Sequence, residues 1–186
     1  MADLVVAAAS VVAEARPAGV RGAPLLVASQ TVPIMALAPL LVIWFGYGAA
    51  SKVVVVALVC FFPIVVNLVD GLRSVDPDLV RLLRTMGASG RQILMLVEVP
   101  AALPYLLSGL KVAASVSVIG AVIGEWVGAQ SGLGYLMIRS ASQFQTARVF
   151  AIIVVLAAMG LGLFWFVGLL ERRLLAYRNA GRAEQS

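Results

Sequence analysis

Long apolar runs, nearly free of charge, dominate the pattern of this chain. Three of them have membrane length: residues 53–69, 104–123 and 149–170. A helix needs about 20 mostly apolar residues to cross a hydrocarbon core of about 30 Å. The first run is rich in valine, which also suits a buried strand, but its length favours a spanning helix. The pattern therefore predicts three spanning helices in this part of the chain.

A fourth apolar run, residues 24–45, comes first and is interrupted by two prolines and by Gln30. A short turn around Tyr47, with a glycine on each side, predicts that this run and the next form an antiparallel hairpin. The stretch 4–15 is apolar but too short to span alone. We predict an all-α polytopic membrane protein with four or five spans.

The longest polar stretch, residues 70–100, is expected to lie outside the lipid and to be structured. Asp76 is a suitable N-cap, Pro77 fits the first helical position, and Gly87 fits a left-handed C-cap. Ser89 then begins a second helix with a capping box.

The partner of Ser89 in that box is Gln92, three residues later. Pro100 and Pro104 are expected to separate this second helix from the next span. The stretch is thus predicted to be a rigid helix, glycine turn and helix.

Composition and charge agree with a membrane protein. Of 186 residues, 62% are hydrophobic and 12% charged, whereas soluble domains have roughly 45–50% apolar and about 25% charged residues. Basic residues concentrate in the polar stretch, the C-terminal tail and the segment before the first run. This bias predicts that the polar stretch and the C-terminus of this membrane protein are cytoplasmic. It explains the net charge of +5 without a nucleic-acid partner.

The residue types disfavour an enzyme. The chain has no histidine and a single cysteine, Cys60, so we expect no catalytic residue, no metal site and no cofactor. It also has no Gly-x-x-x-x-Gly-Lys-Ser/Thr phosphate loop. Any ATP is therefore expected to be bound by partner subunits.

The polar stretch resembles the signature loop of binding-protein-dependent ABC importer permeases: Glu-Ala-Ala, three residues, Gly, nine residues, Ile, one residue, Leu-Pro. Gly87 and Val97 hold the Gly and Ile positions, but Arg81-Leu82-Leu83 replaces Glu-Ala-Ala. The resemblance implies an ATPase-coupling loop whose residues include Arg81, Leu82, Leu83, Gly87, Ala88, Ser89, Val97 and Pro100. A helical hairpin of any polytopic protein would have the same spacing.

Other segments resemble permeases of the nitrate/sulfonate/taurine class, and most of all those for thiamine-pyrimidine precursors and riboflavin. They are Thr31-Val32-Pro33-Ile34, Phe61-Phe62-Pro63-Ile64, Pro100-Ala101-Ala102-Leu103-Pro104 and Gly124-Glu125-Trp126-Val127-Gly128. This resemblance implies a type I permease-like bundle in the bacterial cytoplasmic membrane, with a cytoplasmic coupling helix-turn-helix. It implies ABC ATPase subunits, an extracytoplasmic substrate-binding protein, a second permease copy and membrane lipid as partners.

The implied organisation is a permease domain at 24–174, with the coupling loop at 71–100 and a cytoplasmic tail at 175–186. Family members usually have one complete span and most of another before the region matching residue 24, so residues 1–23 are expected to be truncated or atypical. The implied cargo is a flat heteroaromatic, with a sulfonate, nitrate or taurine-like solute as the alternative. An ion-coupled secondary transporter or channel is the rival function.

Several polar residues in or beside the spans are candidates to line a translocation path: Gln30, Thr31, Asn67, Ser108, Lys111, Ser115 and Glu125. Ser108, Lys111 and Ser115 share a helix face, which either lines the path or packs against another helix; Gly109 and Ala113 favour packing. For Lys111, snorkelling to the interface is favoured over substrate contact.

The remaining candidates have alternatives too. Gln30, Thr31 and Asn67 either face a cavity or form hydrogen bonds between helices. Trp126, next to Glu125, is expected to anchor the span end at the membrane interface. The glycine-rich stretch that follows is either a gate that meets the binding protein or an ordinary loop.

Overall fold

The computed structural model describes residues 33–174, and every regular element within that range is helical. In chain order these are α1 Ile34–Phe45, α2 Ala49–Arg73, α3 Pro77–Thr85, α4 Gly90–Ile93, a π-helical segment Leu94–Glu98, α5 Val99–Gly128, α6 Leu133–Ser142 and α7 Thr146–Leu174. The predicted all-α class is confirmed.

Three helices among the described residues are long and apolar enough to cross a membrane: α2, the continuous helix Gly90–Gly128 that contains α5, and α7. They enclose the predicted runs 53–69, 104–123 and 149–170. Helix α1 is a shorter apolar helix of 12 residues. The rest of its predicted span, before residue 33, lies outside the described residues.

Glycine lets α2 and α5 approach closely. A Cβ at Gly109 would lie 2.9 Å from the Pro63 carbonyl oxygen, and one at Gly71 would lie 2.9 Å from the Ala102 Cα. Real Cβ atoms do not approach other atoms that closely, so larger side chains at these two crossings would push the helices apart. Small residues at the interface are the usual device by which membrane helices pack, because lipid supplies no hydrophobic drive between them.

Helix α7 packs on another side of α5. Gly160 of α7 lies nearest the Ser115 carbonyl oxygen, and Gly168 lies nearest the Lys111 side chain. As α7 advances, its contacts move backward along α5, so the two helices are antiparallel. Helix α5 is therefore the centre of the described bundle, between α2 and α7.

The two ends of the bundle differ. The turn after α1 packs near the end of α5, where a Cβ at Gly128 would lie 2.9 Å from a Val42 methyl group. Helix α6 follows α5 at this same end. Helices α3 and α4 connect the opposite end of α2 to α5. The helical hairpin of residues 74–98 and α6 thus lie at opposite ends of the spanning helices.

One prediction about the hairpin is wrong. Pro100 and Pro104 do not separate its second helix from the span, because the chain stays helical from Gly90 to Gly128. The π-helical segment immediately precedes Pro100, and the Val99 amide donates to the Leu94 carbonyl five residues back. A proline ring clashes with the carbonyl four residues before it. The wider π turn relieves that clash, so the helix continues through the proline.

Candidate functional site

The helical hairpin between α2 and α5 begins with the cap that its sequence predicts. The Asp76 carboxylate accepts a hydrogen bond from the Asp78 amide at 2.8 Å, with Pro77 at the first helical position of α3. At α4, Ser89 and Gln92 form both hydrogen bonds of a capping box. Both caps bind amides that the helix itself leaves without a partner, so the ends of the two short helices are fixed.

The turn between the two helices is a Schellman motif centred on Gly87. Its φ is +83°, and its amide donates to the Arg84 carbonyl at 3.0 Å. The Ala88 amide donates to the Leu83 carbonyl, also at 3.0 Å. These are the two hydrogen bonds that define the motif, and Leu83 and Ala88 supply its hydrophobic contact. The left-handed backbone accounts for glycine at this position.

A small core of its own holds the hairpin together. Val75, Val80 and Ile93 are buried there. Leu83, Ala88, Val97 and Ala101 pack against them. This core joins α3 to the start of the long helix, so a displacement of α3 is carried to α5 instead of being absorbed in a flexible loop.

The other face of α3 is an apolar stripe that covers nothing among the described residues. Leu79, Leu82 and Met86, at helical spacing, are 41%, 57% and 74% exposed. Leu82 therefore faces outward and its neighbour Leu83 inward, although the sequence pattern treats them alike. Arg81, also exposed, forms an ion pair with Asp78 at 2.9 Å. Such a pair contributes little to stability.

Sequence reasoning missed Glu98, the last residue of the π-helical segment. Its side chain is only 3% exposed, at the junction of hairpin and span, whereas Pro100 two residues later is exposed. An isolated acid between two valines, just before the proline, was the available signal. Buried carboxylates are rare and are normally paired.

Five of the seven predicted path residues lie among the described residues. Gln30 and Thr31 lie outside the described residues. Asn67 donates to the Pro63 carbonyl at 2.7 Å, on its own helix, at the point where Gly109 of α5 approaches most closely. Asn67 lies at a helix–helix contact, but this hydrogen bond stays within α2 and is not the bond between helices that was the alternative to a cavity.

Lys111 forms an ion pair with Glu171 of α7, and its ammonium lies 5.5 Å from the centre of the Phe164 ring. Glu171 directly follows the uncharged run 149–170, so the ammonium reaches toward the end of the span, and snorkelling stays a prediction. An opposite charge on the neighbouring helix neutralises the ammonium within the bundle, and the aromatic face adds a cation–π contact. The predicted alternatives included no such partner, because Glu171 is 60 positions away in the sequence.

Ser108, Lys111 and Ser115 share one face of α5. Lys111 and Ser115 on this face pack toward α7. The Ser115 hydroxyl donates to the Lys111 carbonyl at 3.3 Å. Gly109 and Ala113 belong to a different face, which packs on α2: a Cβ at Gly109 would overlap α2, and the Ala113 carbonyl accepts from the Cys60 thiol at 3.4 Å. Gly109 and Ala113 therefore do not belong to the face of Lys111, although their small size had favoured packing of that face.

Glu125 caps a helix. Its carboxylate accepts a hydrogen bond from the Gly134 amide at 2.6 Å, at the N-terminus of α6. A Cβ at Gly132 would overlap that carboxylate. An acid here binds an amide without a helical partner and complements the helix dipole. The glycine-rich stretch after α5 is therefore a tight connection into a helix.

The side chain of Trp126 does not behave as an interfacial anchor. Its indole N–H is buried and has no acceptor among the described residues. An anchor at the membrane interface would direct this N–H toward headgroups and water. The buried N–H therefore argues against the predicted interfacial role of Trp126. No group of three or more potential metal-ligating side chains occurs within residues 33–174.

Comparison with known proteins identifies a matching family and several similar proteins. Residues 7–176 match the family described as "Binding-protein-dependent transport system inner membrane component". A formylaminopyrimidine transport permease protein, ThiX, of Halalkalibacterium halodurans is 49% identical over 156 residues, which are 84% of this chain and 62% of that protein. A riboflavin transport system permease protein, RibX, of Chloroflexus aurantiacus is 41% identical over 83% of this chain and 58% of its own length.

A third similar protein widens the range of solutes. A putative aliphatic sulfonates transport permease protein, SsuC, of Bacillus subtilis is 41% identical over 84% of this chain and 57% of its own length. The chain thus spans about three fifths of the length of these relatives.

Proposed function

The chain belongs to the family of binding-protein-dependent transport system inner membrane components, and from this membership we propose that it is the permease subunit of an ATP-driven ABC importer. In this role its spanning helices form part of a translocation path. Nucleotide is bound and hydrolysed by separate ATPase subunits. The helical hairpin and the C-terminus face the cytoplasm, in agreement with the concentration of arginines in both.

The observation that carries the proposal is the construction of the hairpin. Two helix caps, a Schellman turn and a small hydrophobic core of its own make the hairpin rigid. The stripe of Leu79, Leu82 and Met86 nevertheless stays exposed. Exposed apolar side chains on a rigid support are typical of an interaction site. We propose that this stripe seats in a groove of the ATPase.

The same construction gives a mechanism for coupling. A movement of the ATPase that displaces α3 also displaces Val97 and Ala101, because they share one core with Val80. Both lie on the continuous helix Gly90–Gly128, which packs on α2 and α7. The displacement therefore reaches the centre of the bundle as movement of a packed helix.

The proposed cargo is a small flat heteroaromatic solute, such as a thiamine-pyrimidine precursor or a flavin. Support comes from the names of two relatives, a formylaminopyrimidine permease and a riboflavin permease. A sulfonate is the alternative, supported by the third relative. An extracytoplasmic binding protein would deliver the solute, and a second permease copy would complete the path.

The direct test is transport. The chain is reconstituted in liposomes with the ATPase and binding protein encoded beside it, and uptake of labelled formylaminopyrimidine, riboflavin and an alkanesulfonate is measured with and without ATP. ATP-dependent uptake of a heteroaromatic supports the proposal. ATP-dependent uptake of the sulfonate alone would show that the cargo is a sulfonate and not a heteroaromatic. Uptake driven by an ion gradient without ATP would favour a secondary transporter.

A further inference from the structure

The loop between α6 and α7 holds Phe144 in a conformation that residues with a Cβ seldom adopt. Its φ is +56°, and it is the one non-glycine residue with positive φ within residues 33–174. Its amide donates to the Ala141 carbonyl at 3.0 Å, and the Gln145 amide donates to the Ser140 carbonyl at 2.9 Å. These are again the hydrogen bonds of a Schellman motif, whose left-handed position glycine ordinarily fills.

The ring gains nothing from packing that would offset this unfavourable backbone. Phe144 is 90% exposed. The two neighbouring side chains form a hydrogen bond with each other instead: Nε2 of Gln145 donates to Oε1 of Gln143 at 3.0 Å. A large apolar ring at a position where glycine is favoured, exposed among residues 33–174, indicates a contact with another molecule.

The ring lies too far along the chain to serve the hydrocarbon core. The uncharged run 149–170 of α7 has 22 residues, roughly 33 Å of helix, which fills a core of about 30 Å. Phe144 precedes this run by five positions and the first residue of α7 by two, so it lies beyond the hydrocarbon. Its neighbours Gln143, Gln145 and Thr146 are polar and exposed. This setting favours a protein partner over lipid.

The charge around Phe144 restricts the partner further. Arg139 and Arg148 are exposed on either side of it, and the stretch 131–170 contains no aspartate or glutamate. An aromatic residue surrounded by a polar and basic rim is the arrangement found at the centre of many protein interfaces. The complementary surface is an apolar pocket with an acidic rim.

We propose that Phe144 is a docking contact for the extracytoplasmic binding protein, with Arg139 and Arg148 paired to acids on that protein. This inference rests on the proposed function, which places the hairpin of residues 74–98 in the cytoplasm and α6 therefore on the outer side. The strained backbone holds the ring away from the permease surface. The partner's pocket removes the ring from water.

Photo-crosslinking in the reconstituted complex separates the possible partners. Benzoyl-phenylalanine replaces Phe144 in one sample and Phe150, which is 68% exposed within the apolar run, in the other. We expect position 144 to crosslink to the binding protein and position 150 to lipid. Crosslinking of position 144 to lipid alone, or to nothing while the binding protein still stimulates ATP hydrolysis, would overturn the inference.

Affinity gives an independent readout. Phe144→Gly fits the left-handed backbone, so the permease should melt at the same or a higher temperature, while its affinity for the binding protein should fall at least tenfold. Phe150→Gly is the control for loss of an exposed ring and should leave affinity unchanged. Unchanged affinity in Phe144→Gly defeats the docking contact. If no binding protein associates with even the unaltered complex, the proposed function itself fails.

Discussion

Lys111 on α5 and Glu171 on α7 form an ion pair that joins the central helix of the bundle to the last one. The two side chains are 23% and 18% exposed, so water screens the pair only in part. The Phe164 ring covers the ammonium. Because packed helices cover most of both charges, each depends on the other for neutralisation.

The ion pair predicts a double-mutant cycle with strong coupling. Lys111→Met and Glu171→Gln should each lower the thermal stability in detergent, by about 2 kcal/mol, because each leaves an unpaired, partly buried charge or acceptor. The double variant Lys111→Met/Glu171→Gln should be less destabilised than the sum of the two single changes. Strictly additive losses would show that the two side chains do not interact.

The close crossing of α2 and α5 predicts a sharp difference between two glycines. Gly109→Ala places a Cβ 2.9 Å from the Pro63 carbonyl oxygen, and the forced separation should cost about 1–3 kcal/mol. Gly162→Ala on α7 meets nothing within 4 Å, and alanine should stabilise that helix by up to about 1 kcal/mol. Thermal unfolding of both variants in the same detergent provides the comparison, and equal effects would contradict the described crossing.

The cap on α6 predicts a local effect of changing Glu125. Glu125→Ala removes the acceptor of the Gly134 amide, which should cost about 1 kcal/mol and accelerate exchange of that amide about fivefold. Glu125→Gln keeps an acceptor oxygen and should accelerate it less. Hydrogen exchange of the peptide containing Gly134 gives the readout. Glu171→Gln serves as a control, since Glu171 does not contact α6, and it should leave that peptide unchanged.

The Schellman turn of the hairpin predicts opposite effects of one substitution at two nearby glycines. Both Gly87 and Gly90 have open space where a Cβ would stand, but only Gly87 has positive φ. Gly87→Ala should therefore destabilise by about 1 kcal/mol, whereas Gly90→Ala should be neutral or stabilising. Stimulation of the ATPase should fall in the first variant alone. Equal changes in stability for Gly87→Ala and Gly90→Ala would show that the positive φ of Gly87 is not what requires glycine there.

The parts of the hairpin predicted from sequence are those set by neighbouring residues. Asp76, Ser89 and Gln92 cap amides two or three positions away. Gly87 is required by the positive φ of its own backbone. Such local chemistry can be recognised from spacing alone. The lengths of the three spans follow equally directly from the thickness of the membrane.

What could not be predicted depends on contacts between distant segments. The partner of Lys111 is 60 positions away, and no periodic pattern on either helix indicates which faces meet. The burial of the Trp126 indole N–H is likewise not indicated by its neighbours in the sequence. The helix continues through Pro100 by way of a π turn, a local widening that the apolar pattern of this short segment does not indicate.

The most direct test of the account is association of the chain with its ATPase when the stripe on α3 is altered. Leu82→Asp places a charge at a position that is 57% exposed and faces away from the hairpin core, so folding should be retained. Ile138→Asp makes the same kind of change at a 44% exposed apolar position on α6, at the opposite end of the bundle. After co-expression and purification from membranes, Leu82→Asp should lose the ATPase while Ile138→Asp retains it. Full retention of the ATPase by Leu82→Asp would contradict the assignment of the hairpin as the coupling element.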